Sequence, residues 1–137
     1  MIQTYKKGSA TVLRKLRQFT SSDFDCKCPR LDCIATLIDD DLILGLRTLW
    51  EVAGPFKVNC GYRCKGHNKE VGGAPRSCHV LGKAADVSSL KGYSGYSMAN
   101  YAEAVPAFER SGIGIYLHFV HVDTRGEKAR WSFLTKC

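Results

Sequence analysis

Long apolar runs are missing from this chain. No stretch approaches the roughly 18 residues needed to cross a bilayer, so membrane insertion is not expected. The opening residues, MIQTYKKGSATVLRKLRQF, carry charge but no continuous apolar segment of the kind a secretory leader needs. Synthesis in the cytoplasm is the expectation, with another exit route if the protein acts outside the cell. Repeats, linkers and low-complexity tracts are also lacking. The 137 residues therefore suit a single domain, 1–137, around one hydrophobic core, and a monomer is expected. Acidic residues are scarce: 13 Asp and Glu against 20 Lys and Arg leave a net charge of +7. Lys6, Lys7, Arg14, Lys15 and Arg17 gather near the start. Aromatics are not interleaved with these charges and no nucleic-acid motif occurs, so nucleic acid is not an expected partner. The positive excess serves either solubility or attraction to a polyanion such as an anionic cell wall.

Cysteine, by contrast, is plentiful. The seven are Cys26, Cys28, Cys33, Cys60, Cys64, Cys78 and Cys137, an odd count that leaves at least one thiol unpaired. Without a secretory leader, reduced thiols are the default. Cys26, Cys28 and Cys33, in the run CKCPRLDC, could join Cys64 around a structural zinc, although the spacing is not that of a standard zinc ribbon. Disulfides involving Cys64 and buried inert thiols are the other readings, and the sequence leaves all three open.

The hydrophobic pattern predicts an α+β fold. Val12, Leu13, Leu16 and Phe19 fall at helical spacing, which predicts a short helix over 9–18, and Ser21, Ser22 and Asp23 offer a cap for one more turn. Residues 26–32 read as a loop. Asp39 and Asp40 can cap a second helix whose apolar face is Leu42, Ile43, Leu46, Leu49, Trp50 and Ala53, stopped by Gly54-Pro55. FKVNC and KAADVSS are strand candidates, HNKEVGG a helical turn and SLKGYSGYS a loop. Met98, Tyr101, Ala102, Val105 and Phe108 mark a third helix that Pro106 should kink or shorten. GIGIYL, FVHVD and ARWSFL are short, β-rich and separated by turn-sized gaps, which predicts an antiparallel meander. Helices early and strands late indicate α+β.

Two stretches carry the chemistry. In FVHVD, His121 and Asp123 lie two apart on a predicted strand, so both side chains point to one face while Val120 and Val122 face apolar packing. In SCHVLGKAADV, His79 and Asp86 are isolated among small residues, with Gly82 and Gly73 permitting a tight reversal. His79, Asp86 and His121 together supply two nitrogens and one oxygen, the donor set of a catalytic zinc with one position left for water. Such an ion acidifies its water and polarises a carbonyl. Taken singly, each residue has a structural reading: a hydrogen-bonded His, or an Asp capping a turn.

The ordered set GYRCKGHNKEVGGAPRSCHVLGKAADV followed by IGIYLHFVHVDTRGEKARW resembles the M15 zinc peptidases. That family includes D-alanyl-D-alanine carboxypeptidases, vancomycin-resistance D,D-dipeptidases and phage L-alanyl-D-glutamate endolysins. The family pattern SxHxxGxAxD is matched at Ser77, His79, Gly82, Ala84 and Asp86, and the later HVD at His121. The resemblance covers about residues 20 to 134. It implies the small α+β fold shared with the hedgehog signalling domain: an antiparallel sheet, helices packed on one side, and zinc over the sheet.

Carried over by position, His79, Asp86 and His121 would bind the catalytic zinc. Arg63 would steady a substrate carbonyl or carboxylate, and Ser77 would contribute to substrate binding. Many relatives carry a carboxylate three residues before the last His ligand, where this chain has His118. The general base is therefore His118 or Asp123, and Asp123 could instead orient His121 or pair with Arg125. Cys60 stands where relatives often have Ser. The implied function is hydrolysis of a peptide bond in bacterial peptidoglycan stem peptides, as in a phage endolysin acting on the host cell wall. The alternatives are a bacterial D-Ala-D-Ala carboxypeptidase, or a non-catalytic zinc-bearing wall-binding or virion module.

Overall fold

The computed structural model describes residues 1–133. Leu134, the last residue of the predicted ARWSFL strand, and Cys137 lie outside them. The fold is α+β. In chain order come β1 (Ile2–Lys6), a 3-10 turn (Ser21–Phe24), β2 (Ala35–Asp39), α1 (Asp40–Ala53), β3 (Phe56–Cys60), α2 (Lys65–Glu70), β4 (Ala84–Ser89), α3 (Gly95–Glu103), α4 (Pro106–Glu109), β5 (Gly112–Ile115), β6 (Val120–Asp123) and β7 (Ala129–Ser132). β1 and β2 form a two-stranded antiparallel sheet, and the other five strands form a second sheet ordered β3-β4-β6-β5-β7.

The five-stranded sheet has one apolar and one polar face. Ala85 and Val87 of β4, Val120 and Val122 of β6 and Ile113 of β5 are buried in the core, together with Leu42, Leu46 and Leu49 of α1, Met98 and Ala102 of α3 and Phe108 of α4. α1, α3 and α4 pack on one another and on this face. The alternate residues of the same strands, Asp86, His121 and Asp123, must therefore line the opposite face. Asp39 caps α1 by accepting from the Asp41 N–H, and Gly54 ends it, as the sequence predicts.

Four features differ from the pattern-based expectation. No helix forms over 9–18. The three-residue spacing of Leu13, Leu16 and Phe19 is met instead by successive turns, with the Leu16 N–H donating to the Leu13 carbonyl and the Phe19 N–H to the Leu16 carbonyl. All three side chains are buried without a helix. The β1–β2 pair is not legible in the sequence, because IQTYK mixes polar and apolar residues and ATLID runs directly into the α1 cap. The third helix is shortened before Pro106, as expected, but the chain resumes a short helix, α4, that Pro106 opens at a position where its missing N–H costs nothing. Finally, the last strands are not a simple antiparallel meander: β7 pairs parallel to β5. β7 reverses direction after β6 and joins the far edge of β5, which is itself antiparallel to β6, so β7 runs parallel to β5.

Gly112 shows how tightly the polar face is built. A Cβ at this position would overlap the Asp123 carboxylate, which instead accepts the Gly112 N–H at 2.9 Å. Gly112→Ala should lower unfolding free energy by about 1–3 kcal/mol, because neither the buried carboxylate nor the strand can give way freely. Urea unfolding measures this, and an unchanged midpoint would contradict it.

Candidate metal centre

Three strands and one turn converge on the polar face. In the antiparallel β4–β6 ladder Asp86 lies directly opposite His121, and Ala84 opposite Asp123. Directly opposed residues share a face and bring their side chains together. On the other flank of β4 a bulge between Val58 and Cys60 sets Cys60 opposite Asp86. His79 arrives from the turn that precedes β4. Its reversal is held by the Val80, Leu81 and Gly82 N–H groups donating to the carbonyls of Ser77, Cys78 and His79. Gly82 takes φ +75° there, and a side chain would strike the Leu37 backbone.

Both imidazoles address one oxygen. His79 Nε2 lies 3.2 Å and His121 Nδ1 3.0 Å from Asp86 Oδ1. The opposite nitrogen of each ring is engaged elsewhere: His79 Nδ1 with the Gly61 carbonyl at 2.7 Å, and His121 Nε2 with Asp123 Oδ2 at 2.8 Å. If the outer nitrogens kept their protons and the inner ones gave theirs up to a metal ion, each inner nitrogen would offer a lone pair. Each imidazole would then present a lone pair towards the same Asp86 oxygen. Zinc bonded to nitrogen and oxygen at about 2.0–2.2 Å holds neighbouring ligand atoms roughly 3.3 Å apart, close to each of the two His–Asp86 separations. The donor set fits such an ion. Among the described residues it is Cys60, His79 and Asp86 whose donor atoms all lie within 4.8 Å of one another; His121 is outside that group and meets it through the shared Asp86 oxygen, while Cys60 Sγ lies 3.7 Å from His79 Nδ1.

Asp123 is fully buried and heavily bonded. Besides His121 it accepts from the Gly112 N–H, the Arg125 N–H, and Arg125 Nε and Nη2, the last at 2.7 Å. It sits on the far side of the His121 ring from Asp86. Arg125 in turn lies 5.1 Å above the Trp131 ring, and that indole packs 4.9 Å from His121. Trp131 gives no signal in the sequence beyond being an aromatic strand residue, because its position depends on β7 pairing with β5.

The remaining candidates are placed as follows. Arg63 donates to Asn68 Oδ1 at 2.8 Å and approaches Cys60 Sγ at 3.6 Å. Among the described residues no carboxylate pairs with it. Ser77 accepts the His79 N–H at 3.2 Å and so caps the turn that carries His79. His118 is exposed in the connection between β5 and β6.

The charges are mutually dependent. Burial works against a charged His79, but hydrogen bonds to Asp86 and Cys60 more than offset it and push the imidazole up to about 10. Burial likewise opposes ionised Asp86 and Asp123. Hydrogen bonds from His121 and His79 in the first case, and from His121 and Arg125 in the second, hold both well below the usual carboxylate range. Burial would raise the Cys60 thiol, but His79 and Arg63 draw it down.

The family model described as Peptidase M15 matches residues 17–123, a span that contains all of these residues except Arg125 and Trp131. A comparison with curated proteins gave no match.

A pH dependence follows for the metal-free protein. The raised His79 pKa contributes stability that is full below its ordinary value of 6.5 and is lost as pH rises through about 10. The depressed Asp86 pKa contributes stability that is full above its ordinary 3.8 and is lost as pH falls below it. The urea midpoint of metal-free protein should therefore be highest between these two ordinary values and decline towards alkaline pH. Added zinc should remove the alkaline decline by taking the place of the proton on His79. A metal-free profile that stays flat from neutral to alkaline pH would contradict this.

Proposed function

We propose that this chain, which belongs to the M15 peptidase family, is a zinc-dependent hydrolase of peptide bonds in the stem peptides of bacterial peptidoglycan. The observation that carries the reading is the approach of His79 Nε2 and His121 Nδ1 to a single Asp86 oxygen, each ring anchored at its other nitrogen. His79, Asp86 and His121 would hold the ion. When bound there, zinc acidifies a water molecule and polarises the scissile carbonyl.

The rest of the chemistry falls to the chain. Arg63, held by Asn68 and without a carboxylate partner among the described residues, supplies a fixed guanidinium for the substrate carbonyl oxygen as negative charge develops on it. Asp123 orients His121 and keeps the proton on Nε2; its oxygens are already engaged by Gly112, His121 and Arg125 and leave no room for a base. The proton carrier is then His118, an exposed imidazole three residues before His121, which takes the water proton and returns it to the leaving amine. Ser77 acts through the His79 turn rather than on substrate.

The finer reading is an endolysin-like endopeptidase acting on the wall of a phage-infected host, where the net charge of +7 favours anionic wall polymers. The unpaired Arg63 guanidinium specifically favours a second reading, D-Ala-D-Ala carboxypeptidase, because a chain-terminal carboxylate is its natural partner. Mass spectrometry of products from defined muropeptides separates the two: two peptide fragments for the endopeptidase, one released D-alanine for the carboxypeptidase. Absence of any new amino terminus from every peptidoglycan type would leave a non-catalytic wall-binding or virion module.

Three substitutions test the roles. His79→Ala should lose both catalytic zinc and activity, and full retained activity would refute the ligand assignment. His118→Ala should keep its zinc but lose about 10²- to 10⁴-fold in kcat. Asp123→Asn should weaken zinc affinity by about 10- to 100-fold, read by competition with a chromogenic chelator.

A further inference from the structure

Away from this centre, the densest group of metal-binding atoms is formed by the sulfurs of Cys26, Cys28, Cys33 and Cys64. All four lie within 4.8 Å of one another, and all four are free thiols. The Cys28 and Cys64 sulfurs are 3.7 Å apart. A tetrahedral zinc with four sulfurs at about 2.3 Å has edges of about 3.8 Å, whereas a disulfide brings two sulfurs to about 2.05 Å. A di-iron cluster spreads its ligands over two metal ions, so four sulfurs this close suit a mononuclear site.

The surroundings suit thiolates. The Cys64 N–H points at Cys26 Sγ at 3.4 Å, the His67 N–H at Cys64 Sγ at 3.4 Å, and Lys7 Nζ lies 3.7 Å from Cys28 Sγ. Such donors offset the excess negative charge of a four-thiolate site. Cys26, Cys28 and Cys33 sit between the 3-10 turn and β2 in a stretch without helix or strand, yet Cys26 and Cys28 are buried. Such a stretch has no ladder of backbone hydrogen bonds to hold it. Cys64 caps α2 directly after Arg63.

We propose that Cys26, Cys28, Cys33 and Cys64 form a second, structural zinc site that ties the 25–34 loop to the start of α2 and so fixes the backbone that carries Arg63. Zinc binding displaces the thiol protons to solvent, and the closed four-sulfur shell leaves no position for water or substrate.

Metal content per chain provides the test, measured by mass spectrometry of protein purified under reducing conditions. Wild type should carry two zinc ions. Cys28→Ser/Cys33→Ser should carry one, and His79→Ala/His121→Ala should carry one. If the catalytic assignment alone fails, wild type carries one zinc that the cysteine substitutions remove and the histidine substitutions do not. If the cysteine substitutions prevent folding, cobalt loading of the Cys60→Ser variant decides the matter, since it removes the thiol beside the first centre. Intense sulfur-to-cobalt charge-transfer bands with tetrahedral ligand-field bands are expected. Their absence, a visible spectrum of bound iron in protein as purified, or a disulfide among the four cysteines in peptide maps of the reduced-purified protein would overturn the proposal.

Discussion

The register of β4 against β6 sets Asp86 opposite His121, and the rest of the candidate centre follows from that pairing. A slip of one residue would turn both side chains towards α3 and bring Val87 and Val122 to the polar face. The apolar residues on the other face prevent the slip: Ala85, Val87, Val120 and Val122 are fully buried, so the core and the centre fix one another. The bulge in β3 and the turn at Gly82 are local adjustments that bring Cys60 and His79 to a position already defined by the ladder.

Two carboxylates and two imidazoles in so little space are costly to bury unless each is paired. Here the pairing forms a chain, from Gly61 through His79, Asp86, His121 and Asp123 to Arg125. The Arg125 charge, stacked over Trp131, pairs with Asp123, and Asp123 holds the outer nitrogen of His121. The proton or metal at the centre is thus the one exchangeable member of an otherwise fixed network. In such an arrangement, metal binding at the centre would be coupled to protonation and stability.

Much of this is legible in the sequence, and the exceptions have physical causes. Strand alternation alone puts His121 and Asp123 on one face, and the small residues around Gly82 mark a reversal between His79 and Asp86. Alternation does not reveal which ring nitrogen faces which carboxylate. In sequence, Asp123 therefore reads as base, with the orienting role as the alternative, and its five hydrogen-bond donors in the fold favour the second. Three-residue spacing at Leu13, Leu16 and Phe19 mimics a helix because consecutive tight turns bury the same positions. The direction of β7, and with it the placement of Trp131 beside His121, depends on β7 pairing with β5 rather than with β6, a property of the assembled sheet rather than of ARWS. The cysteines are the converse case: their spacing alone is ambiguous, and the meeting of Cys64 with the 26–33 loop resolves the four sulfurs into one cluster.

The proposed function turns on whether His79, Asp86 and His121 hold one metal ion through their inner atoms. Anomalous diffraction at the zinc absorption edge, on crystals of zinc-loaded protein, tests it most directly. An anomalous peak is expected, bonded to His79 Nε2, Asp86 and His121 Nδ1, with Asp123 still on His121 Nε2. A peak bonded through His121 Nε2, or no peak at these three residues in protein that carries zinc elsewhere, would contradict it.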